Sequence, residues 1–360
     1  MKKLKNVLLL VLPLVLSSCG DSVSKEENTN DTDIKENVDV VDENNTENNN
    51  QENTENNIDD TNEEINISYE TKEAGIVNNA VADYRIESEY LTIYTVETSK
   101  LPHVDIIDFL SDLDGFFDFK NVRNSYDKEK EELSLYYRNT YNILFDVKND
   151  VIKADSCFTF LQYCYEAAST DYSEHILEYT DYYVKKSTFN MDLKEYGFDI
   201  IYIDNKCLVP LFLANLLFCS FAYYNVLYNN DLVFLEYGEP SEIFGYDDCD
   251  DKGKSQDLEY RKEVVNSLYL IFDYYYGLNG YKKFDNGIKE EISKLNNGKV
   301  LENLLFSDGY RNLLSYIDII YTFLDELHSR IDVPSFYWNK ANEVSINRGS
   351  FGKSYYEIGS

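Results

Sequence analysis

Val209-Pro210-Leu211-Phe212-Leu213-Ala214-Asn215-Leu216-Leu217-Phe218 is the stretch on which the fold turns. A β-like run, Phe198 to Ile203, precedes it, and the pattern Asn225-Val226-Leu227-Tyr228-Asn229 then Asp231-Leu232-Val233-Phe234 follows. Apolar residues alternate on either side of Asn229-Asn230, as paired strands around a tight turn require. A helix tolerates proline in its first turn, where no N–H is needed, so Pro210 is expected to open a short helix between strand and hairpin. The same order occurs upstream. There, Tyr90 to Val96 leads into Val104-Asp105-Ile106-Ile107-Asp108-Phe109-Leu110-Ser111-Asp112-Leu113, and a hairpin follows, with Asn142-Ile143-Leu144-Phe145-Asp146 and Asp150-Val151-Ile152 flanking Lys148-Asn149. The spacing predicts an α+β protein with two small strand-helix-hairpin units, at residues 81–155 and 191–240.

Between the units, residues 156–190 read as connecting helices, with Phe158, Leu161, Tyr165, His175, Ile176, Tyr179 and Tyr183 near helical spacing. His175 sits beside that apolar face and reads as a core or interface histidine rather than a ligand. Residues 241–257 form an acidic loop. Counted from Asp248, it has acids at positions 1 and 3, Gly253 at position 6 and Glu259 at position 12, as in a calcium-binding EF-hand loop. Lys252 puts a positive charge at position 5 and Ser255 replaces the apolar residue at position 8, so a solvated linker is the reading and a calcium loop the alternative. Residues 258–331 are expected to form a helical bundle. Val264, Val265, Leu268, Ile271, Phe272 and Tyr275 share one face of a helix over Leu258 to Tyr276, which Gly277 would end. A second stripe, Leu314, Ile317, Tyr321, Leu324 and His328, recurs at intervals of three and four and puts His328 at a helix C-terminus, where an imidazole can cap carbonyls. Residues 332–360 read as a tail.

The N-terminus has the layout of an export signal. Lys2, Lys3 and Lys5 precede the apolar run Val7 to Leu16, which is too short to span a bilayer as a mature helix. Leu16-Ser17-Ser18-Cys19 resembles the bacterial lipobox, so residues 1–18 are expected to be a signal peptide and Cys19 the lipidated residue. Two or more acyl chains on Cys19 would anchor the protein stably to a lipid bilayer on the exported side of the cell envelope. Gly20 to Asn66 is Asn, Glu, Asp and Thr with few large apolar residues, a composition that cannot offset its ordering entropy, so residues 19–80 are expected to be a disordered acidic linker. The formal net charge of -33 argues against nucleic acid as a partner, because phosphate binding needs basic patches. Six cysteines and three histidines show neither zinc nor copper spacing, and no cofactor or metal is expected.

Two resemblances go further. Val209-Pro210-Leu211 and its strand-helix-hairpin setting resemble the copper-amine-oxidase N-terminal-like, or stalk, domain of bacterial surface proteins; Asp105 departs from that motif in the first unit. Tyr196-Gly197-Phe198-Asp199-Ile200 with Val209-Pro210-Leu211, Tyr223-Tyr224-Asn225-Val226-Leu227-Tyr228-Asn229, the helix from Val265 to Tyr276, and Leu324-Asp325-Glu326-Leu327-His328-Ser329 resemble the N-terminal part of tail-specific (C-terminal processing, tricorn-type) serine peptidases. Glu326 stands where that family has a second aspartate. The resemblance implies a general-base role for His328 and carries over no other catalytic residue. Only 31 residues follow Ser329, too few for a domain presenting a nucleophile. The expected function is therefore that of a lipid-anchored envelope protein, non-catalytic alone, positioning a peptide or protein substrate or representing a truncated peptidase. The alternative is a surface binding or scaffold lipoprotein with stalk-like units.

Overall fold

The computed structural model describes residues 67–77, 80–81, 84–165, 188–222, 224–229, 231–237, 257–307, 310–326 and 329. In chain order the strands are β1 (Tyr69–Val77), β2 (Ala80–Val81), β3 (Tyr84–Arg85), β4 (Tyr90–Val96) and β5 (His103–Asp105), which runs straight into helix α1 (Ile106–Asp112). Next come β6 (Val122–Asp127), β7 (Glu132–Tyr137), β8 (Tyr141–Asp146), β9 (Val151–Ala154), a 3-10 stretch at Cys157–Tyr163, and β10 (Phe189–Asp192). They are followed by β11 (Ile201–Ile203), β12 (Lys206–Pro210), α2 (Leu211–Phe218), β13 (Tyr224–Asn229) and β14 (Leu232–Tyr237). The C-terminal part is helical: α3 (Leu258–Tyr275), α4 (Asn279–Lys282), α5 (Ile288–Ser293), α6 (Lys299–Phe306) and α7 (Tyr310–Ile317), the last running into a π-helical turn at Asp318–Phe323. The protein is α+β.

Twelve strands form a seven-stranded sheet, in the order β11-β12-β5-β4-β1-β14-β13, and a five-stranded antiparallel meander, β10-β9-β8-β7-β6, while β2 pairs with β3 alone. Strands of the two sequence runs pair with each other inside the larger sheet. β5 and β12 are antiparallel, with Val104 opposite Val209, His103 opposite Pro210 and Asp105 opposite Leu208. Val104 and Val209 hold corresponding places in the two runs, so the pairing is locally two-fold about that pair, and a helix departs from each strand just beyond it. The two hairpins part company. β8–β9 belongs to the meander, whereas β13–β14 continues the larger sheet, where β14 runs parallel to β1.

Several expectations change here. The linker expected to extend to residue 80 ends earlier, because Tyr69–Val77 is an interior strand of the larger sheet, with β4 on one side and β14 on the other. Its sequence hides this. Only Ala74 of the nine residues is buried, and four consecutive residues, Glu70 to Glu73, are exposed, so the strand contributes backbone pairing more than core. Of the expected connecting helices at residues 156–190, the described residues show the 3-10 stretch at Cys157–Tyr163 and the start of strand β10 at Phe189; residues 166–187, including His175, lie outside the described residues. Pro210 ends strand β12 and caps α2 at φ -53° rather than standing inside the helix. The helix expected at Leu258 to Tyr276 is α3, which ends at Tyr275, before Gly277. Cys19, the signal segment and the acidic loop up to residue 256 also lie outside the described residues.

One buried cluster joins both sheets, α2 and the helices. All eight residues of α2 are buried, and Phe218 at its end meets the rings of Phe117, Phe160 and Tyr163. α3 is fastened at several points. Glu263 accepts hydrogen bonds from the Ser99 hydroxyl (2.7 Å) and from the backbone N–H groups of Lys100 and Leu101, gripping the β4–β5 turn. Farther along α3, the Tyr196 hydroxyl donates to Asp273 (2.9 Å), and the Tyr274 hydroxyl accepts from the Asp192 N–H (2.9 Å). Among the described residues no helix is long and apolar enough to cross a membrane.

Candidate functional site

The segment that resembles the peptidase signature begins where the last helix fails. The π-helical turn Asp318–Phe323 widens the helix, and the Leu324 N–H donates to the Ile319 carbonyl five residues back (3.0 Å). Asp325 then takes φ +44°, the left-handed region that stops a helix. The described helical stripe thus ends at Leu324. His328 itself lies outside the described residues.

What flanks it is pinned. Leu324 is wholly buried, and the Lys282 ammonium, at the end of α4, donates to its carbonyl. Carbonyls in the last turn of a helix need partners from outside it, and the lysine supplies one here. Beyond it, the Glu326 carboxylate accepts from the Ser329 N–H (2.6 Å), and Ser329 is buried. Beneath the segment an aromatic series, Phe272, Tyr276, Phe284 and Phe323, runs in successive ring contacts of 5.4–6.0 Å. The Tyr276 hydroxyl is held protonated far above its ordinary range, first by burial and then by the negative charge of Glu326. The arrangement supplies a fixed, partly apolar corner. General-base chemistry would need, in addition, a hydroxyl or thiol that donates its hydrogen bond to the imidazole and can serve as nucleophile.

The one described histidine is not a candidate. His103 is buried in β5, its Nδ1 shares a hydrogen bond with the Leu101 carbonyl (2.9 Å), and burial lowers its pKa to about 4, so the ring is neutral.

The described carboxylates hold structure together. Asp105 caps α1, one oxygen accepting from the N–H groups of Ile107 and Asp108 and the other from the Cys207 N–H on the neighbouring strand (2.7 Å). Burial nonetheless raises its pKa. Asp108 receives the Lys206 ammonium (2.8 Å), and Asp112, one turn on, is raised to about 6 by burial and by the charge of Asp108. Asp118 is buried beneath Asn121, Tyr137 and Arg138; burial pushes it up, but those three donors outweigh that and leave it below the usual carboxylate range. No group of three or more His, Cys, Asp or Glu side chains among the described residues could hold a metal ion.

Asp105 and Glu263 were not singled out by the sequence as fastening points. An acid directly before an apolar helical run is a legible cap signal at Asp105. Nothing local marks Glu263, whose partners lie over 160 positions away.

Compared with known protein families, with characterised proteins and with solved structures, the chain matches none of them.

Proposed function

We propose that this is a lipid-anchored protein of the cell envelope whose α+β body is a non-catalytic positioning module related to the front part of tail-specific serine peptidases. The tether reading is supported by Leu16-Ser17-Ser18-Cys19 directly behind a basic segment and a short apolar run. Residues 19 to about 66 would then act as an acidic spacer between the bilayer and the body. The single observation that favours positioning over chemistry is the pair of backbone anchors at Leu324 and Ser329. Lys282 holds the Leu324 carbonyl and Glu326 the Ser329 N–H, which fixes a shape. The resemblance carries over one catalytic position, His328, and no nucleophile. The module would present an extended peptide to a chain bearing the serine.

The tether is tested by phase partition of the full chain made in a bacterial host. The native chain is expected in the detergent phase with two or more acyl chains on Cys19, and Cys19→Ala in the aqueous phase. An unmodified Cys19 at the N-terminus of a water-soluble protein would contradict the reading. The scaffold reading is favoured instead if peptides fail to bind the body while a second envelope protein co-purifies with it.

A further inference from the structure

Two buried thiols meet where the 3-10 stretch after β9 packs on the end of α2. Cys164 closes the stretch Cys157–Tyr163, and its thiol donates to the carbonyl oxygen of Phe218 at 3.5 Å. The residue bonded to that carbonyl is Cys219, the C-terminal cap of α2. A trans peptide holds the next Cα about 2.8 Å from its carbonyl oxygen, which places Cys219 Cα within about 6.3 Å of the Cys164 sulfur. The Cys164 Cα lies a further ~2.8 Å behind its sulfur, so the two Cα atoms are within about 9 Å of one another, a bound that contains the roughly 4.4–6.8 Å a disulfide needs. The approach is rigid. Phe218 is gripped by Phe117, Phe160 and Tyr163, and residue 164 is bridged to Phe117 in the β manner.

The geometry points to Cys164 and Cys219 as a disulfide-forming pair that staples α2 to the segment leaving the meander. Formation removes two protons and two electrons from the thiols. A low-molecular-weight disulfide such as oxidised glutathione takes up both, through a mixed disulfide, and leaves as two thiols. Once folded, both groups are nearly inert. Burial pushes Cys164 up to about 12, and Cys219 is raised too, by burial and then by its cysteine neighbour, so almost no attacking thiolate exists. The bond therefore forms while the chain folds, in a compartment that supplies the oxidant; in that respect alone the inference rests on the exported location proposed above.

The test is thiol mapping of the full chain, unfolded and refolded in detergent with oxidised and reduced glutathione, then quenched with acid and alkylated in denaturant. A peptide linking Cys164 to Cys219, with a mass about 2 Da below the sum of its parts, is the expected product. Alkylation of both thiols, or linkage of either to Cys157, Cys207 or Cys249, would overturn the assignment. A melt with and without reductant provides a second readout: the native chain should melt lower when reduced, and Cys164→Ala/Cys219→Ala should not respond. Trapping thiols in living cells separates the two ideas. A pair that links on refolding but is reduced in cells supports the geometry and counts against the exported location.

Discussion

α1 and α2 leave adjacent strands at corresponding places, yet one is charged and the other has no charge at all. α1 carries Asp108 and Asp112 on a half-buried face and is opened by the Asp105 carboxylate. At the matching positions α2 has Leu213 and Leu217, both wholly buried, and it is opened by Pro210. The difference follows from place rather than pattern. α2 is closed in by the 3-10 stretch, the sheet and its own C-terminal loop, so every side chain loses water; α1 keeps one side wet and pairs Asp108 with Lys206. Starting a helix beside a sheet can therefore be done in two ways, with a side-chain acceptor for the first N–H groups or with a residue whose fixed φ suits the entry.

Exchanging the two environments should break the comparison most sharply. Leu217→Asp buries a charge with no partner and is expected to cost more than about 4 kcal/mol, abolishing a cooperative melt at pH 7. The reverse case, Asp112→Asn, keeps an acceptor and removes a charge that burial disfavours, so it should fold at least as well at pH 7. Because the folded Asp112 pKa is raised to about 6, its contribution is present below about pH 4 and lost as pH climbs to about 6; the Asn variant should lack that fall in pH-resolved denaturant titrations.

Next in size is Asp105→Ala, which uncaps α1 and strands the Cys207 N–H, at about 3 kcal/mol in urea unfolding. Asp105→Asn retains the cap oxygen and should lose less. His103, opposite Pro210, sharpens the contrast at low pH. Its folded pKa is depressed to about 4, so the stability it contributes is present above pH 6.5 and lost as pH falls, about 2 kcal/mol by pH 5. His103→Gln should remove that loss, and an unchanged acid transition would contradict the buried neutral ring. The smallest effect is expected for Pro210→Ala, about 0.5 kcal/mol, from a freer unfolded chain.

Much of this architecture was legible in residue order. Alternation on either side of Asn229-Asn230 and the apolar face of Leu258 to Tyr275 mark β13–β14 and α3 directly, because each signal is local. Strand β1 was not legible. Polar residues such as Glu70 and Lys72 read as linker, and only its partners, β4 and β14, make it a strand. The end of the last helix was hidden for a related reason. The spacing of Leu314, Ile317, Tyr321 and Leu324 continues to His328, but a π-helical turn and the positive φ of Asp325 stop the helix first, and neither departs from the apolar period. Long-range fastening, such as Glu263 to the β4–β5 turn, leaves no trace in neighbouring residues.

The proposed role is non-catalytic, and a fluorophosphonate serine-hydrolase probe addresses that most directly. Applied to the purified full chain at pH 7 to 8, the probe should leave the intact mass unchanged, and His328→Ala should behave identically. Stoichiometric labelling of the native chain that is lost in His328→Ala would contradict the account.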